Sequence, residues 1–427
     1  MTALIVIFLC LLMALEVPLY AVFLCAGVIG ALLWGDPSWI ARIPRQIFGS
    51  MDPYALMSIV FFIMTGNLMN RSGLTERLLN LSCALTGSHQ GGSGYPTVIG
   101  GAFLAGVNGS TAGAVTLGER FIPAMKQQGF PRGYAAGLTA SSALVGPILP
   151  PSLFMTVYSA ITGTSMGGLF AAGILPGLLL VGVVAWIHGR FQRKYSPTTR
   201  KRSSWTAQMK AFGHAIPGLL APTIIAGGVI VGTLSPTEAG ALAAVYCLIT
   251  GLVITGELSP RNVWLALRET VNSASSVLLV VGASSAMGWL LRWEAAAQSL
   301  WTTVTSSGLL DHPRLFMIAV SLAIFLIGTL MEEVTLLTVL TPLLAPLGAA
   351  AGIDPYHFGL VMTFNVTIAM ITPPVGGYNE SVASVERVPL RRIFRCELPF
   401  IIGALGVLLT MILWPPMTVF LPRLAGY

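Results

Sequence analysis

Two proline pairs inside apolar segments are the residues of this sequence best suited to holding a hard cation. Residues 148–151 read Ile-Leu-Pro-Pro, and residues 371–374 read Ile-Thr-Pro-Pro. A proline lacks an N–H donor and disfavours α geometry in the residue before it, so each pair leaves backbone carbonyls without intrahelical partners. Ser152 and Thr372 add hydroxyl oxygens beside these carbonyls. Each segment therefore predicts either an unwound, oxygen-lined cation site or a kinked helix without a ligand, and the doubled proline favours the unwound segment.

The two proline pairs belong to a repeat with an offset of 223 residues, which is the separation of Pro150 from Pro373. The same offset joins three further pairs: Pro123 with Pro346, Gly129 with Gly352, and Leu175-Pro176 with Leu398-Pro399. Matches at one common offset indicate two copies of a structural unit.

A polar centre at Asn108-Gly109-Ser110-Thr111 interrupts the apolar residues 100–118. The two arms have about ten residues each, too few to span a bilayer at roughly 1.5 Å per residue. We therefore predict two short helices that meet in a re-entrant hairpin. Hydroxyls and carbonyls at its tip suit sodium, and a helix N-terminus directed at the tip suits an anion. The alternative is a small-residue packing interface between two ordinary helices.

The repeat maps the first tip, near Gly109, onto Met331-Glu332-Glu333. These residues lie between the apolar runs 315–331 and 334–353. Ionisable residues at membrane depth are costly and indicate a functional site. We predict a second hairpin tip here, with Glu332 as a cation ligand; the alternative is an interfacial loop with two solvated carboxylates.

The composition indicates the class of protein that must position these residues. The 427-residue chain is 55% hydrophobic and 9% charged, whereas soluble domains are roughly 25% charged. Uncharged segments that are long enough, or nearly so, to cross about 30 Å of hydrocarbon are 215–237, 239–256, 270–291, 315–331, 334–353 and 398–422. Residues 3–33 carry only Glu16. We therefore predict an all-α polytopic membrane protein in a lipid bilayer, and not a β-barrel, because segments of alternating polarity are absent.

Sequence motifs for ATP hydrolysis and metal clusters are absent. The sequence has no Walker or His–Glu–His pattern, and we expect no enzyme and no cofactor. The five cysteines have no Cys-x-x-Cys spacing and are expected to form no disulfide or metal site. No nucleic-acid-binding segment is visible. The N-terminus lacks a basic region and a cleavage site, so we expect a mature membrane segment there.

Basic loops predict the orientation of the repeat. Residues 190–202 and 387–395 are the densest clusters of Lys and Arg and should be cytoplasmic. The apolar segment 169–189 runs toward the first cluster, whereas its repeat partner, 398–422, starts at the second. Equivalent helices therefore cross the membrane in opposite directions, which predicts inverted-topology repeats. The predicted organisation is a first repeat at 1–190, a cytoplasmic linker at 191–213 and an inverted second repeat at 214–427.

Two further segments read as interfacial helices. Residues 36–50 and 257–269 combine Trp, Arg and apolar residues. Such elements would join a fixed part of the protein to a moving part. The C-terminus is predicted on the outer face, and the side of the N-terminus is left open.

The motifs described above occur in segments that resemble the large membrane (M) subunit of tripartite ATP-independent periplasmic, or TRAP, transporters. The resemblance is strongest over residues 103–179 and 328–377, and weaker similarity, including residues 232–251, extends it over nearly the whole chain. The Gly-Ser-Thr tip, the Leu-Pro-Pro-Ser break and the Asp-Pro-x-x-Phe-Gly…Thr-Pro-Pro-x-Gly run are specific as a set.

The resemblance implies a sodium-coupled importer of small organic anions that works by an elevator movement. It implies a small membrane subunit (Q), a periplasmic substrate-binding protein (P) and a bacterial inner membrane location. Sodium would be the coupling ion, and no cofactor is implied. The chain looks like an M subunit to which Q is not fused.

By position, the resemblance also implies three sets of site residues. The first sodium site would comprise Asn108, Gly109, Ser110, Thr111, Gly146, Leu149 and Pro150. The second would comprise Gly328, Met331, Glu332, Thr372, Pro374 and Gly376. The substrate would lie between them, on Ser110, Thr111, Ser152, Tyr378 and Asn379.

Three positions depart from the family pattern. The first tip reads Asn-Gly-Ser-Thr where the family more often has Ser-Gly-Ser-Ser, and Glu332 stands where Asp is usual. Residues 377–380 read Gly-Tyr-Asn-Glu where the family commonly has Asn and apolar residues. These changes affect the substrate and the geometry of the second sodium site more than they affect coupling.

Two other functions remain open from the residues. One is a standalone sodium/anion symporter of related fold that needs no binding protein. The other is an intramembrane enzyme or scaffold subunit, which the absence of a Walker loop and of a His–Glu–His cluster disfavours.

Overall fold

The computed structural model describes residues 12, 17, 19–33, 38–51, 54–86, 94–104, 111–195, 204–293, 296–374 and 376–427. These residues form helices and connecting turns, and no strand occurs among them. The prediction of an all-α protein is confirmed. The N-terminal segment expected to be mature membrane helix lies mostly outside the described residues.

The first half contains nine described helices. They are α1 (Leu19–Leu33), α2 (Ser38–Met51), α3 (Tyr54–Arg71), α4 (Leu74–Thr86), α5 (Gly94–Leu104), α6 (Thr111–Gln127), α7 (Arg132–Ala143), α8 (Leu153–Thr162) and α9 (Met166–Tyr195).

The second half contains ten described α-helices. They are α10 (Trp205–Ile230), α11 (Pro236–Ile249, continued as a π-helix over Thr250–Thr255), α12 (Pro260–Trp293), α13 (Ala296–Ser306), α14 (Pro313–Gly328), α15 (Glu333–Ala350), α16 (Pro355–Ala369), α17 (Gly377–Glu386), α18 (Leu390–Leu413) and α19 (Pro416–Leu424). A short 3₁₀ turn, Leu309–Asp311, precedes α14.

The helix bounds follow the 223-residue offset. Shifted by 223, α6 covers 334–350, next to Glu333–Ala350 of α15. Shifted in the same way, α8 covers 376–385, next to Gly377–Glu386 of α17. Each half thus contains one of these two helices, α6 or α15, followed by two shorter helices with a break between them. The opposite orientation of the copies in a membrane stays a prediction.

Several predicted segments have different bounds in the structure. The second arm of the first hairpin, α6, has 17 residues, more than the expected ten or so. The C-terminal apolar segment divides at Trp414 into α18 and α19, because Pro415 and Pro416 cannot continue the helix. Residues 257–269 do not form a separate interfacial helix, since α12 continues for 34 residues. The helices α9 and α10 extend into both ends of the predicted linker 191–213.

Local sequence explains where several helices begin. Ser235 caps α11 in a capping box with Glu238, which satisfies amides that have no intrahelical partner. Asp354 caps α16 by accepting hydrogen bonds from the backbone N–H groups of Tyr356 and His357. Prolines occupy the first positions of both helices, where their missing N–H is no loss.

The outer surface is apolar where the long helices face outward. Five helices among the described residues are long and apolar enough to cross a membrane, or six if α2 and α3 form one bent span. Large side chains such as Leu178, Trp186, Val253 and Ile402 are exposed on them, as lipid contact requires. One large hydrophobic core joins both halves, and a smaller core lies among α3, α4, α10, α11 and α12. The protein is a multi-pass membrane protein.

Candidate ion and solute site

The first predicted tip can be placed only through its neighbours. Asn108, Gly109 and Ser110 lie outside the described residues, and of Thr111 only the backbone, as the first residue of α6, is described. A Cβ atom at Gly101 of α5 would overlap the carbonyl oxygen of Ser142. The first hairpin arm therefore packs directly against the end of α7, where the first break begins.

The first break, residues 144–152, is a compact turn closed by a serine. The Ser152 hydroxyl donates to the carbonyl oxygen of Pro147 and accepts from the N–H of Met155 at the start of α8. Among the predicted ligands in this break, Gly146 is buried, whereas Leu149 and Pro150 are half-buried. The peptide bond between the two prolines is cis. Ser152 thus holds the break together, and its only proton is already in use.

The second break, residues 370–376, lies beside the second hairpin tip. A Cβ atom at Gly328, the last residue of α14, would lie 2.7 Å from the Cβ of Ala369. The structure therefore brings the second tip and the second break together. Within the break, the Thr372 hydroxyl is half-buried and donates to the Ile368 carbonyl oxygen over 3.1 Å. The peptide bond between Pro373 and Pro374 is cis.

The remaining residues of the second set differ in exposure. Met331 is half-buried, Pro374 is exposed and Gly376 is buried. Gly376 has a φ of 59°, a left-handed conformation that glycine adopts without a steric penalty. It lets the chain turn directly from the break into α17.

The two adjacent glutamates of the second tip have opposite environments. Glu332 precedes the first turn of α15 and is exposed, whereas Glu333 is 2% exposed. The Tyr378 hydroxyl is the polar neighbour of the Glu333 carboxylate, although no regular hydrogen bond forms between them. The buried acid at this junction is therefore Glu333, one residue after the Glu332 that the sequence analysis selected.

Three predicted substrate ligands are buried in this structure. Ser152, Tyr378 and Asn379 are exposed by 1%, 0% and 2%. The Asn379 Nδ2 donates to the Ile371 carbonyl oxygen over 2.8 Å. None of the three lines either of the two cavities described next.

A cavity of about 430 Å³ lies between helices of the two halves and is here called the Gln46 cavity. Its walls come from α2, α3 and α12 on one side and from α8 and α15 on the other. The Gln46 Nε2 reaches the Ser285 hydroxyl over 3.4 Å. The neighbouring Ser284 hydroxyl is buried and has no hydrogen-bond partner in the described part of the chain. These groups can bind a polar solute, because they offer donors and acceptors inside an otherwise apolar enclosure.

A second cavity of about 490 Å³, here called the Tyr158 cavity, adjoins the first through Ile161 and Pro342. Hydroxyl-bearing residues also line it: Tyr158, Thr162, Thr164 and Thr341. Among the residues that the structure describes, no Lys, Arg, Asp or Glu lines either cavity. Together the two cavities form a hydroxyl-rich space along α8 and α15.

Sequence reasoning missed Gln46, Ser284, Ser285 and Thr338, which bring polar groups to the Gln46 cavity. Gln46 carried a weak signal, as an uncharged polar residue inside the predicted interfacial helix 36–50. The serines carried none, because isolated serines are common in membrane helices.

Comparisons with known proteins agree with this architecture. The family described as "Tripartite ATP-independent periplasmic transporter, DctM component" matches residues 5–417. The sialic acid TRAP transporter large permease protein of Vibrio cholerae is 34% identical over 388 residues, which cover 90% of each chain. The C4-dicarboxylate TRAP transporter large permease protein of Rhodobacter capsulatus is 30% identical over 403 residues, which cover 91% of each chain.

A solved structure shares the fold. The crystal structure of the Alcanivorax borkumensis YdaH transporter, described as having an unusual topology, matches with a TM-score of 0.60 and 15% identity. The match covers 94% of this chain and 98% of that chain. At this identity the likeness concerns the fold alone.

Proposed function

Because the chain belongs to the DctM family of tripartite ATP-independent periplasmic transporters, we propose that it is the large permease subunit of a sodium-coupled importer of small organic anions. A periplasmic binding protein would deliver the anion, and a small Q subunit would accompany this chain in a bacterial inner membrane. The family match over residues 5–417 is the observation that carries the proposal. Two relatives are named as transporters of sialic acid and of C4-dicarboxylates, and both solutes are carboxylates.

Sodium coupling is supported by the packing of the second tip on the second break. Gly328 contacts Ala369 closely, and this places the turn that follows Gly328 beside residues 370–374, which include Thr372. Backbone carbonyls and the Thr372 hydroxyl are the oxygen ligands that hard cations prefer. A sodium ion held between tip and break would fix the hairpin against the broken helix.

The Gln46 cavity is the proposed place for the anion. It is lined by helices of both halves, so a displacement of α8 and α15 past α2 and α12 would change which side of the membrane it faces. Such a displacement is the elevator movement expected from the family. Since no cationic side chain of the described residues lines the cavity, hydroxyl and amide donors and the proposed sodium ions would offset the charge of the anion.

Reconstitution tests the function. The chain is placed in liposomes with the small subunit, the binding protein is added outside, and uptake of labelled succinate and sialic acid is measured under an inward sodium gradient. We expect uptake of one carboxylate that requires both partners and sodium. Full uptake by this chain alone would support the standalone symporter instead. Equal uptake after potassium replaces sodium would remove the coupling claim.

A substitution at Thr372 tests the second sodium site. Thr372→Val keeps the shape of the side chain and removes its oxygen. We expect the half-saturating sodium concentration for uptake to rise about tenfold, equivalent to about 1.4 kcal/mol of binding free energy. Thr410→Val is the matched control, because the Thr410 hydroxyl is exposed on α18 and bonds only to its own helix. An unchanged sodium titration in Thr372→Val would exclude a hydroxyl ligand there.

A substitution at Gln46 tests the solute cavity. Gln46→Leu removes the amide that reaches Ser285 and leaves the volume similar. We expect the KM for the anion to rise about tenfold, while the sodium dependence stays the same. Gln208→Leu on α10, which lines neither cavity, should leave KM unchanged. A normal KM in Gln46→Leu would place the anion elsewhere.

A further inference from the structure

Glu397 is an acidic residue inside a membrane-spanning helix. It lies on α18, one of the helices long and apolar enough to cross a membrane, and its side chain is 0% exposed. Neither carboxyl oxygen has a hydrogen-bond partner among the described residues. An ionised carboxylate buried in this way loses its hydration without compensation, so the group needs a bound proton or another cation.

Glu397 packs against a glycine and an amide side chain on two neighbouring helices. A Cβ atom at Gly137 of α7 would lie 3.1 Å from the Glu397 Cγ, so the side chain fits against a bare backbone. Asn379 of α17 is its polar neighbour. The Asn379 Oδ1 is also buried without a partner. Three helices therefore enclose a carboxyl group and an amide that bulk solvent does not reach.

No charged side chain among the described residues compensates Glu397. The buried titratable groups on the helices packed against α18 are Tyr134 of α7, His188 of α9, His357 of α16 and Tyr378 of α17. His188 bonds to Tyr134 over 2.9 Å, and His357 bonds to Thr418 over 2.8 Å.

The charged groups nearby are at the surface or paired. The exposed ones on α18 and its neighbours are Arg132, Arg190, Arg193, Arg314, Glu380, Arg391, Arg392 and Arg395. Glu386 pairs with Lys126 over 2.7 Å. None of these groups contacts the Glu397 carboxyl group through a hydrogen bond or an ion pair.

The number of oxygen atoms distinguishes a proton from a metal ion. Hard metal cations in proteins take shells of about six oxygen ligands. Glu397 and its neighbour Asn379 offer three oxygens without a hydrogen-bond partner among the described residues, the two of Glu397 and the Oδ1 of Asn379. A proton needs only one of them.

We propose that Glu397 is a proton-binding site whose occupancy is coupled to the second break. Asn379 is the connection, because its side chain neighbours Glu397 while its Nδ2 holds the Ile371 carbonyl oxygen of the break. A rearrangement of residues 370–376 would therefore move a polar neighbour of the acid and change its hold on the proton. Proton binding stands independently, whereas a role in the transport cycle rests on the proposed function.

Infrared difference spectroscopy on the full chain in lipid nanodiscs tests proton binding. The carbonyl stretch of a protonated carboxylic acid is absent from carboxylates, so the wild-type spectrum at neutral pH is compared with that of Glu397→Gln. We expect loss of one such band in Glu397→Gln and no loss in Glu380→Gln, which removes an exposed carboxyl next to Asn379. A Glu397→Gln spectrum that retains every carboxylic-acid band would overturn the proposal. Glu397→Asp is a second variant in which the band should shift, and an unchanged band would likewise count against it.

Uptake in reconstituted liposomes tests the coupling. At fixed sodium and with both partner subunits, wild-type succinate or sialic acid uptake should depend on pH, and Glu397→Gln should lose that dependence. Identical pH profiles in the two proteins would refute the coupling to the second break. If the wild type takes up neither solute, the proposed function fails, while the infrared experiment still decides whether Glu397 holds a proton.

Discussion

The break between α7 and α8 is closed by a hydroxyl group, whereas the equivalent break between α16 and α17 is closed by an amide. Ser152 donates to the carbonyl oxygen of Pro147 within the same turn. Asn379 reaches back from inside α17 to the carbonyl oxygen of Ile371. The first break can therefore move as one unit, but the second holds its carbonyl only while α17 keeps its position.

The two breaks also differ in what packs against their isoleucine carbonyl groups. Ile148 and Ile371 are equivalent under the 223-residue offset. The Ile148 carbonyl oxygen lies directly against Gly173 of α9, where no side chain separates the two backbones. The position equivalent to Gly173 in the second half is Cys396, and there the carbonyl of Ile371 is met by a side-chain donor instead. At Ile148 the first break is held by a backbone contact, whereas at Ile371 the second break is held by a side-chain donor.

The buried carboxyl groups follow the same division. Glu333 and Glu397 are both buried in the second half, and the equivalent positions of the first half are Ser110 and Ile174. The two halves, whose helix bounds match around the breaks, thus differ in the side chains at these positions. Because buried acids respond to ions and to protons, the second half is the copy in which we expect ion binding to control structure.

Asn379→Leu should have the largest effect on this contrast. It removes the donor to Ile371 and the polar neighbour of Glu397 while keeping a side chain of similar size. The Ile371 carbonyl oxygen loses its donor and the Glu397 carboxyl group loses its polar neighbour, which should reduce the free energy of unfolding by about 3 kcal/mol. Thermal unfolding of the purified protein in detergent measures the loss.

The matched change in the first half is Ser152→Ala. It removes the bond to Pro147 and the cap of α8, and it should cost about 1 kcal/mol. If Ser152→Ala lowered the free energy of unfolding more than Asn379→Leu, the hydroxyl that closes the first break would contribute more to stability than the amide that closes the second.

Gly173→Ala should have the next largest effect, and it acts on the first half. The new methyl group would overlap the Ile148 carbonyl oxygen, and overpacking of this kind costs about 2 kcal/mol. Gly182→Ala on the same helix has no atom within 4 Å of the added carbon and should be neutral or slightly stabilising. Equal melting temperatures in the two variants would show that backbone contact does not fix the first break.

Much of this architecture could be predicted from the sequence, because its signals are local. Apolar length predicts the spanning helices, and proline pairs predict the breaks at 148–151 and 371–374. The repeat offset then indicates which segments are equivalent, and this placed the second tip at residues 331–333. The family resemblance was visible in the same segments.

The side-chain chemistry was less predictable, because it depends on how helices are rotated against each other. Glu332 precedes α15 with an extended backbone and Glu333 is the first residue of the helix, and only the packing of α15 determines which of them is buried. Asn379 and Glu397 lie on different helices, so no local pattern pairs them. The Gln46 cavity draws on five helices, and its residues form no motif in the chain.

Arg387→Gly should have the smallest effect, and it is expected to be stabilising. Arg387 ends α17 with a φ of 51°, whereas Gly163 ends the equivalent α8 with a φ of 72°. A residue with a Cβ atom is strained in this conformation by about 1–2 kcal/mol, part of which glycine offsets by its greater freedom in the unfolded chain. We therefore expect Arg387→Gly to raise the free energy of unfolding by about 0.5–1 kcal/mol.

Gly163→Ala is the converse change in the first half. Because nothing lies within 4 Å of the added carbon, the loss of stability in this variant would measure backbone strain alone. Opposite shifts of the melting temperature would show that the left-handed helix end favours glycine in both halves. A lower melting temperature in both variants would mean that the Arg387 side chain stabilises the second half through contacts of its own.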